Sequence, residues 1–155
     1  MNGSDQRLNL NDSSQNGVYF VGHADLEEIA DMAVAEALSV SRVDLNDCLG
    51  KQELLVRIAD TLRFPASFGG NWDALADFLK DLAWLPARGH VLMFEHADAF
   101  ANTLTDEFNT LLDILDDAAD QAAEQQRIWF AFFALPDSAF DSGKDGPFQQ
   151  VPTEH

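Results

Sequence analysis

Eight consecutive apolar residues, Ile128 to Leu135 (IWFAFFAL), constrain this chain more than any other stretch. Along a half-exposed strand the side chains alternate between core and solvent, so polar residues would recur at every second position. None does here. The run reads as a central strand buried on both faces, the pattern of a sheet with helices packed on its two sides. His90 to Glu95 (HVLMFE) is a second strand candidate. Gly17 to Gly22 (GVYFVG) is a short apolar β-type run, and Ser41 to Asp44 begins another, with Val43 and Leu45 facing one way.

Between these runs the apolar spacing becomes helical. Asp25 has the position of an N-cap, with Glu28 as its capping-box partner, ahead of Leu26, Ile29, Ala30, Ala33 and Ala37. Lys51 to Leu62 carries Leu54, Leu55, Ile58 and Leu62 on one face, and Pro65 stops it. Asn71 is a good N-cap for a helix whose buried face is Trp72, Leu75, Phe78, Leu79 and Leu82. Pro86 closes that segment. A long helix is predicted from about Thr103 to Gln125, with Leu104, Phe108, Leu111, Leu112, Leu115, Ala119 and Ala122 as its core stripe. The order β-α-β-α-α-β-α-β predicts an α/β fold: a small, mostly parallel sheet of three or four strands covered by helices.

The chain has 155 residues, which points to one domain, over residues 17–135. Residues 1–16 are polar and are expected to form a loose tail. Residues 136–155 carry Pro136, Pro147 and Pro152 and are expected to form a second tail, docked by Phe140 or Phe148. Against 27 acidic residues stand 9 basic ones, for a formal net charge of −18. That charge disfavours nucleic acid and anionic membranes, whose phosphates would repel it, and suits a basic partner. Solubility alone explains the same surplus. No run approaches the roughly 20 apolar residues of a membrane span, and no leader pattern opens the chain. The expectation is a soluble, cytoplasmic protein. It leaves the oligomeric state open.

Little chemistry is legible. The single cysteine, Cys48, excludes an intramolecular disulfide and a cysteine-based metal cage. Histidines at 23, 90, 96 and 155 show no i, i+4 zinc spacing. Asp44-Asn46-Cys48 lacks the glycine of a calcium loop, and the stretch from Asp141 has Pro152 in place of its closing glutamate. Gly69 and Gly70 precede a helix start, but Asp73 would repel a phosphate there. No catalytic residue, metal or cofactor is expected.

The carboxylates remain. At about 100° per residue, Asp73, Asp77 and Asp81 lie opposite the apolar face of their helix. Asp73 is close enough to the N-terminus to gain from the helix dipole. Asp77 is not, and its i, i+4 repulsion with Asp73 costs about 0.2–0.5 kcal/mol. A carboxylate-based hydrolase would use such a pair, but only inside a concave site.

The stretch FPASFGGNWDALADFL resembles the signature of the barstar family, intracellular inhibitors of barnase-like ribonucleases. The match runs through Phe68, Gly69, Gly70, Asn71, Trp72, Asp73, Ala74, Leu75, Ala76 and Asp77. Its flanks follow the family order over roughly residues 42–135, which leaves residues 17–40 as an N-terminal addition. The resemblance implies a protein that is not an enzyme. Loop and helix would plug the active site of a basic, extracellular-type ribonuclease or a related bacterial toxin, conferring immunity on the producing cell. By position, Asp73 and Asp77 match the two helix carboxylates, Asp77 the dominant one, and Asp117 matches a further carboxylate. Two adjacent loop tyrosines of the family are Ser67 and Phe68 here, a tryptophan is Ala76, and a glycine is Asp81. The implied partner-facing set is Ser67, Phe68, Gly69, Trp72, Asp73, Ala76, Asp77, Asp81 and Asp117. Its departures leave room for a basic partner that is not a ribonuclease.

Overall fold

The computed structural model describes residues 9–81, 89–135 and 149–150. Residues 1–8 of the expected first tail, Leu82, Pro86, and Phe140 and Phe148 of the second tail lie outside them. Four parallel strands form the sheet: β1 (Gly17–Gly22), β2 (Ser39–Asp44), β3 (Gly89–Glu95) and β4 (Ile128–Leu135), in the order β2-β3-β4-β1. A two-residue strand, β5 (Gln149–Gln150), pairs antiparallel with β1. The α/β class, the parallel sheet and the apolar run at its centre are as the sequence predicts.

Alternation along β4 divides the interior into two cores. Trp129, Ala131 and Phe133 point to one side, where α2 (Lys51–Leu62), α3 (Trp72–Asp81), α4 (Ala97–Thr103) and α5 (Thr105–Glu124) cover them. Phe94 stacks on Phe133 at 4.6 Å between ring centroids, and Phe108 meets the same ring edge-on at 5.2 Å. Ile128, Phe130, Phe132 and Ala134 point to the other side, with Val91 and Met93 of β3. Their cover comes from the N-terminal segment: Leu10, Tyr19, Val21 and α1 (Leu26–Ala35), through Leu26, Ile29 and Ala33.

The N-terminal segment also closes an edge. β1 pairs with β4 along its whole length, from Gly17 opposite Phe130 to Gly22 opposite Leu135. Asn16, just ahead of β1, donates from Nδ2 to the Arg127 carbonyl at 2.8 Å and accepts the Trp129 N–H at 3.0 Å. Residues 9–16 of the expected tail are thus placed against the sheet, and Leu10 is buried. At the start of β3 the strands approach closely. A Cβ at Gly89 would lie 2.5 Å from the Ile128 Cβ, so only glycine fits there.

Several local expectations need correction. Asp25 has helical dihedrals and makes no capping hydrogen bond, because a 3-10 turn at His23–Asp25 leads directly into α1. α1 stops at Ala35, and Ala37 lies beyond it at φ 62°. α2, by contrast, spans Lys51–Leu62 as expected, with left-handed Arg63 as its C-cap ahead of Pro65. The long helix is preceded by a separate α4, broken from α5 at Leu104 (φ −116°, ψ 57°). Cys48 is buried, and burial pushes its thiol pKa up.

His90 is buried at 2% exposure, and neither ring nitrogen has a hydrogen-bond partner. Burial first, and the nearby Arg127 charge second, push its pKa down to about 4. The unfolded chain therefore takes up a proton near pH 6.5 that the folded chain refuses until about pH 4. His90 should remove up to about 3 kcal/mol of stability as pH falls through that window. In urea titrations, His90→Phe should lose less stability than wild type between pH 7 and 4.5, and parallel profiles would refute this. The N-terminal cover gives a second prediction. Deleting residues 1–37 bares Val91, Met93, Phe130 and Phe132, each worth about 1.5–3 kcal/mol when buried. The truncated chain should aggregate in size-exclusion chromatography, and a soluble monomer would contradict the assignment.

Candidate functional site

The loop between α2 and α3 is held by aromatic packing. Left-handed Arg63 turns the chain, and the Phe64 N–H bonds back to the Ala59 carbonyl at 2.9 Å. Phe64, Phe68 and Phe78 then form a triangle with centroid separations of 4.9, 5.1 and 5.4 Å. Such tilted and edge-on contacts suit the charge distribution of the rings. Phe68 is thereby half-buried, while Ser67 and Gly69 are exposed beside it. Gly70 takes φ 72°, a conformation that favours glycine, and sets the approach to α3.

Asn71 starts that helix. Its side-chain oxygen accepts the Ala74 N–H at 2.8 Å, and its carbonyl accepts the Leu75 N–H at 3.0 Å. This is the expected cap. Leu75 and Leu79 are fully buried beneath the helix. Trp129 of β4 donates from Nε1 to the Leu79 carbonyl at 3.3 Å, tying the helix end to the central strand. Trp72 is half-buried, with the Lys51 ammonium 6.0 Å from its ring centre. Ala76 is half-buried.

Asp73, Asp77 and Asp81 are all exposed on the outer face of α3. Among the described residues no ion pair engages any of them. Asp117 stands on α5, 64% exposed, and Lys80 of α3 reaches it at 2.6 Å. The fourth carboxylate is thus brought alongside α3, but it already holds a cation. Sequence reading missed Lys80, because nothing local couples positions 80 and 117. Asp81 also lines a small cavity with His90, Arg127 and Trp129. Asp73 and Asp77 line no part of it. An acid/base pair needs burial to keep one carboxyl group protonated, and two exposed carboxylates lack it.

The family model described as Barstar (barnase inhibitor) matches residues 38–134. The chain belongs to the barstar family. The match includes the loop, α3, Lys80 and Asp117, and excludes β1 and α1. No match is found among curated proteins. Among the described residues of this barstar-family chain, no helix is long and apolar enough to cross a membrane.

Stability measurements can separate capping from partner-facing residues. Asn71→Ala should cost about 1 kcal/mol through the lost cap. Asp77→Ala removes like-charge pairs with Asp73 and Asp81, and should leave stability unchanged or raise it by about half a kcal/mol. Urea unfolding of both variants checks this, and destabilisation by Asp77→Ala would give that residue a structural task.

Proposed function

We propose that this protein inhibits a barnase-like ribonuclease by seating α3 and its preceding loop in the enzyme's basic active site. Asp73, Asp77 and Asp81 would stand in for RNA phosphates, with Asp117 as a flanking contact. One observation supports the reading: the barstar-matched helix presents three exposed carboxylates that, among the described residues, have no ion-pair partner. Leu75, Leu79 and the Trp129 bond hold that helix rigidly, so little ordering remains to oppose binding. The repulsion among the carboxylates is relieved when the partner's cations arrive. The net charge of −18 would speed encounter with a basic enzyme. Ser67, Phe68, Gly69, Trp72 and Ala76 would form the uncharged border of the contact. Residues 17–135 act as one domain in this reading, and the protein works in the cytoplasm of the cell whose enzyme it blocks.

A second reading keeps the binding face and changes the partner. Phe68 turns inward to Phe64 and Phe78, and its neighbour Ser67 offers only a hydroxyl. The loop therefore presents little aromatic surface. That favours an immunity or interaction module for another basic partner.

Calorimetry against a barnase-like ribonuclease tests both. Asp77→Ala should weaken binding more than Ala substitution of Asp73, Asp81 or Asp117, and association should slow as salt rises. Equal affinity of wild type and Asp77→Ala would refute the helix-carboxylate mechanism. No binding by wild type would favour the second reading.

A further inference from the structure

At the other end of the sheet, two histidines far apart in sequence are neighbours in space. His23 follows β1 and His96 follows β3, and these strands flank β4. Their ring centroids are 5.7 Å apart with planes inclined at 32°. With Asp98, Ala134 and Leu135 they line an open cavity of about 290 Å³ over the carboxyl end of β4. Open parallel sheets commonly bind ligands at the carboxyl ends of their strands. The site lies a strand length, roughly 20 Å, from the cavity beside Asp81.

The chemistry of this pair is that of a cation ligand set. Two imidazoles bound to one tetrahedral ion at metal–nitrogen distances near 2.0–2.1 Å place their ring centres roughly 5–6 Å apart. His96 Nδ1 lies 2.8 Å from Asp44 Oδ1. That contact fixes the ring and leaves Nε2 free, as outer-shell carboxylates do for metal-bound histidines. His96 is also held at φ 57°, ψ 46°, a left-handed conformation uncommon for a residue other than glycine. Asp44, Glu95 and Asp98 place negative charge near His96, and Asp98 also lines the shared cavity, which opposes an anion and favours a cation. Among the described residues no group of three or more His, Cys, Asp or Glu side chains is arranged to hold a metal ion.

We propose that His23 and His96 form a two-imidazole chelate for a borderline divalent cation of the nickel, copper and zinc class. Imidazole ligands select these ions over magnesium or calcium, which prefer oxygen. The remaining coordination positions stay open to water or to a ligand group from another molecule. This site is independent of the α3 face.

Titration of the full-length protein with zinc chloride in a non-chelating buffer tests the assignment. Calorimetry should show one ion per chain, not displaced by excess magnesium. His23→Gln and His96→Asn should each lower affinity at least tenfold, and His155→Gln should leave it unchanged. Asparagine tolerates the left-handed conformation at position 96, and His23, on an exposed turn, carries the test if the other variant fails to fold. Electron paramagnetic resonance of the copper-loaded protein should show two nitrogen ligands. Absence of zinc binding, unchanged affinity in His23→Gln, loss in His155→Gln, or fewer than two nitrogen ligands would each overturn the proposal.

Discussion

The structure depends on keeping β4 dry on both faces and along both edges. A strand of eight apolar residues cannot leave one side to water, and an unpaired edge would offer a template for aggregation. β3 occupies one edge and β1 the other. Four helices cover the Trp129–Phe133 side, and α1 covers the Phe130–Phe132 side. The family match begins at residue 38, so one edge and one face of the central strand are covered from outside the matched segment. The N-terminal strand and helix therefore complete the architecture. Asn16 joins them to it by bonding backbone groups at the entry to β4.

Much of this was legible because burial leaves a periodic trace. The unbroken run in β4, the Leu54-Leu55-Ile58-Leu62 stripe in α2 and the Asn71 cap each have a local cause. Features that depend on tertiary neighbours were not legible. Asp25 has the chemistry of a cap, but the preceding turn denies it cap geometry. α4, at seven residues, is too short to show helical periodicity, and the sequence reading assigned no element there. The candidate site divides in the same way. Exposure of Asp73, Asp77 and Asp81 followed from helical spacing. The inward turn of Phe68 and the Lys80–Asp117 pair required contacts across elements. His23 and His96, 73 residues apart in the sequence, left no trace in spacing.

The helix that carries the three aspartates receives its stability from elsewhere. Asn71 satisfies its first turn, Leu75 and Leu79 anchor its inner face, and Trp129 holds its end to β4. None of these interactions uses the outer face. A burden of like charges there, at a few tenths of a kcal/mol per pair, is small against two fully buried leucines at about 1.5–3 kcal/mol each. The outer face is thus free to carry residues that fit a partner poorly matched to the isolated helix.

The few cations of the chain reinforce that division. Arg42 is held by Glu27 and Glu95, Arg57 by Glu53 and the carbonyls of the loop after β2, and Lys80 by Asp117. Lys51 stands over Trp72. These positive groups are committed to contacts within the fold, while among the described residues Asp73, Asp77 and Asp81 receive none. The outer face of α3 therefore presents three exposed carboxylates to an approaching molecule. A field of this kind reaches only about 8–10 Å at physiological salt, so its direction matters more than the net charge. It acts on whatever approaches that face, and a cationic surface there gains both in encounter rate and in relief of the repulsion built into the helix.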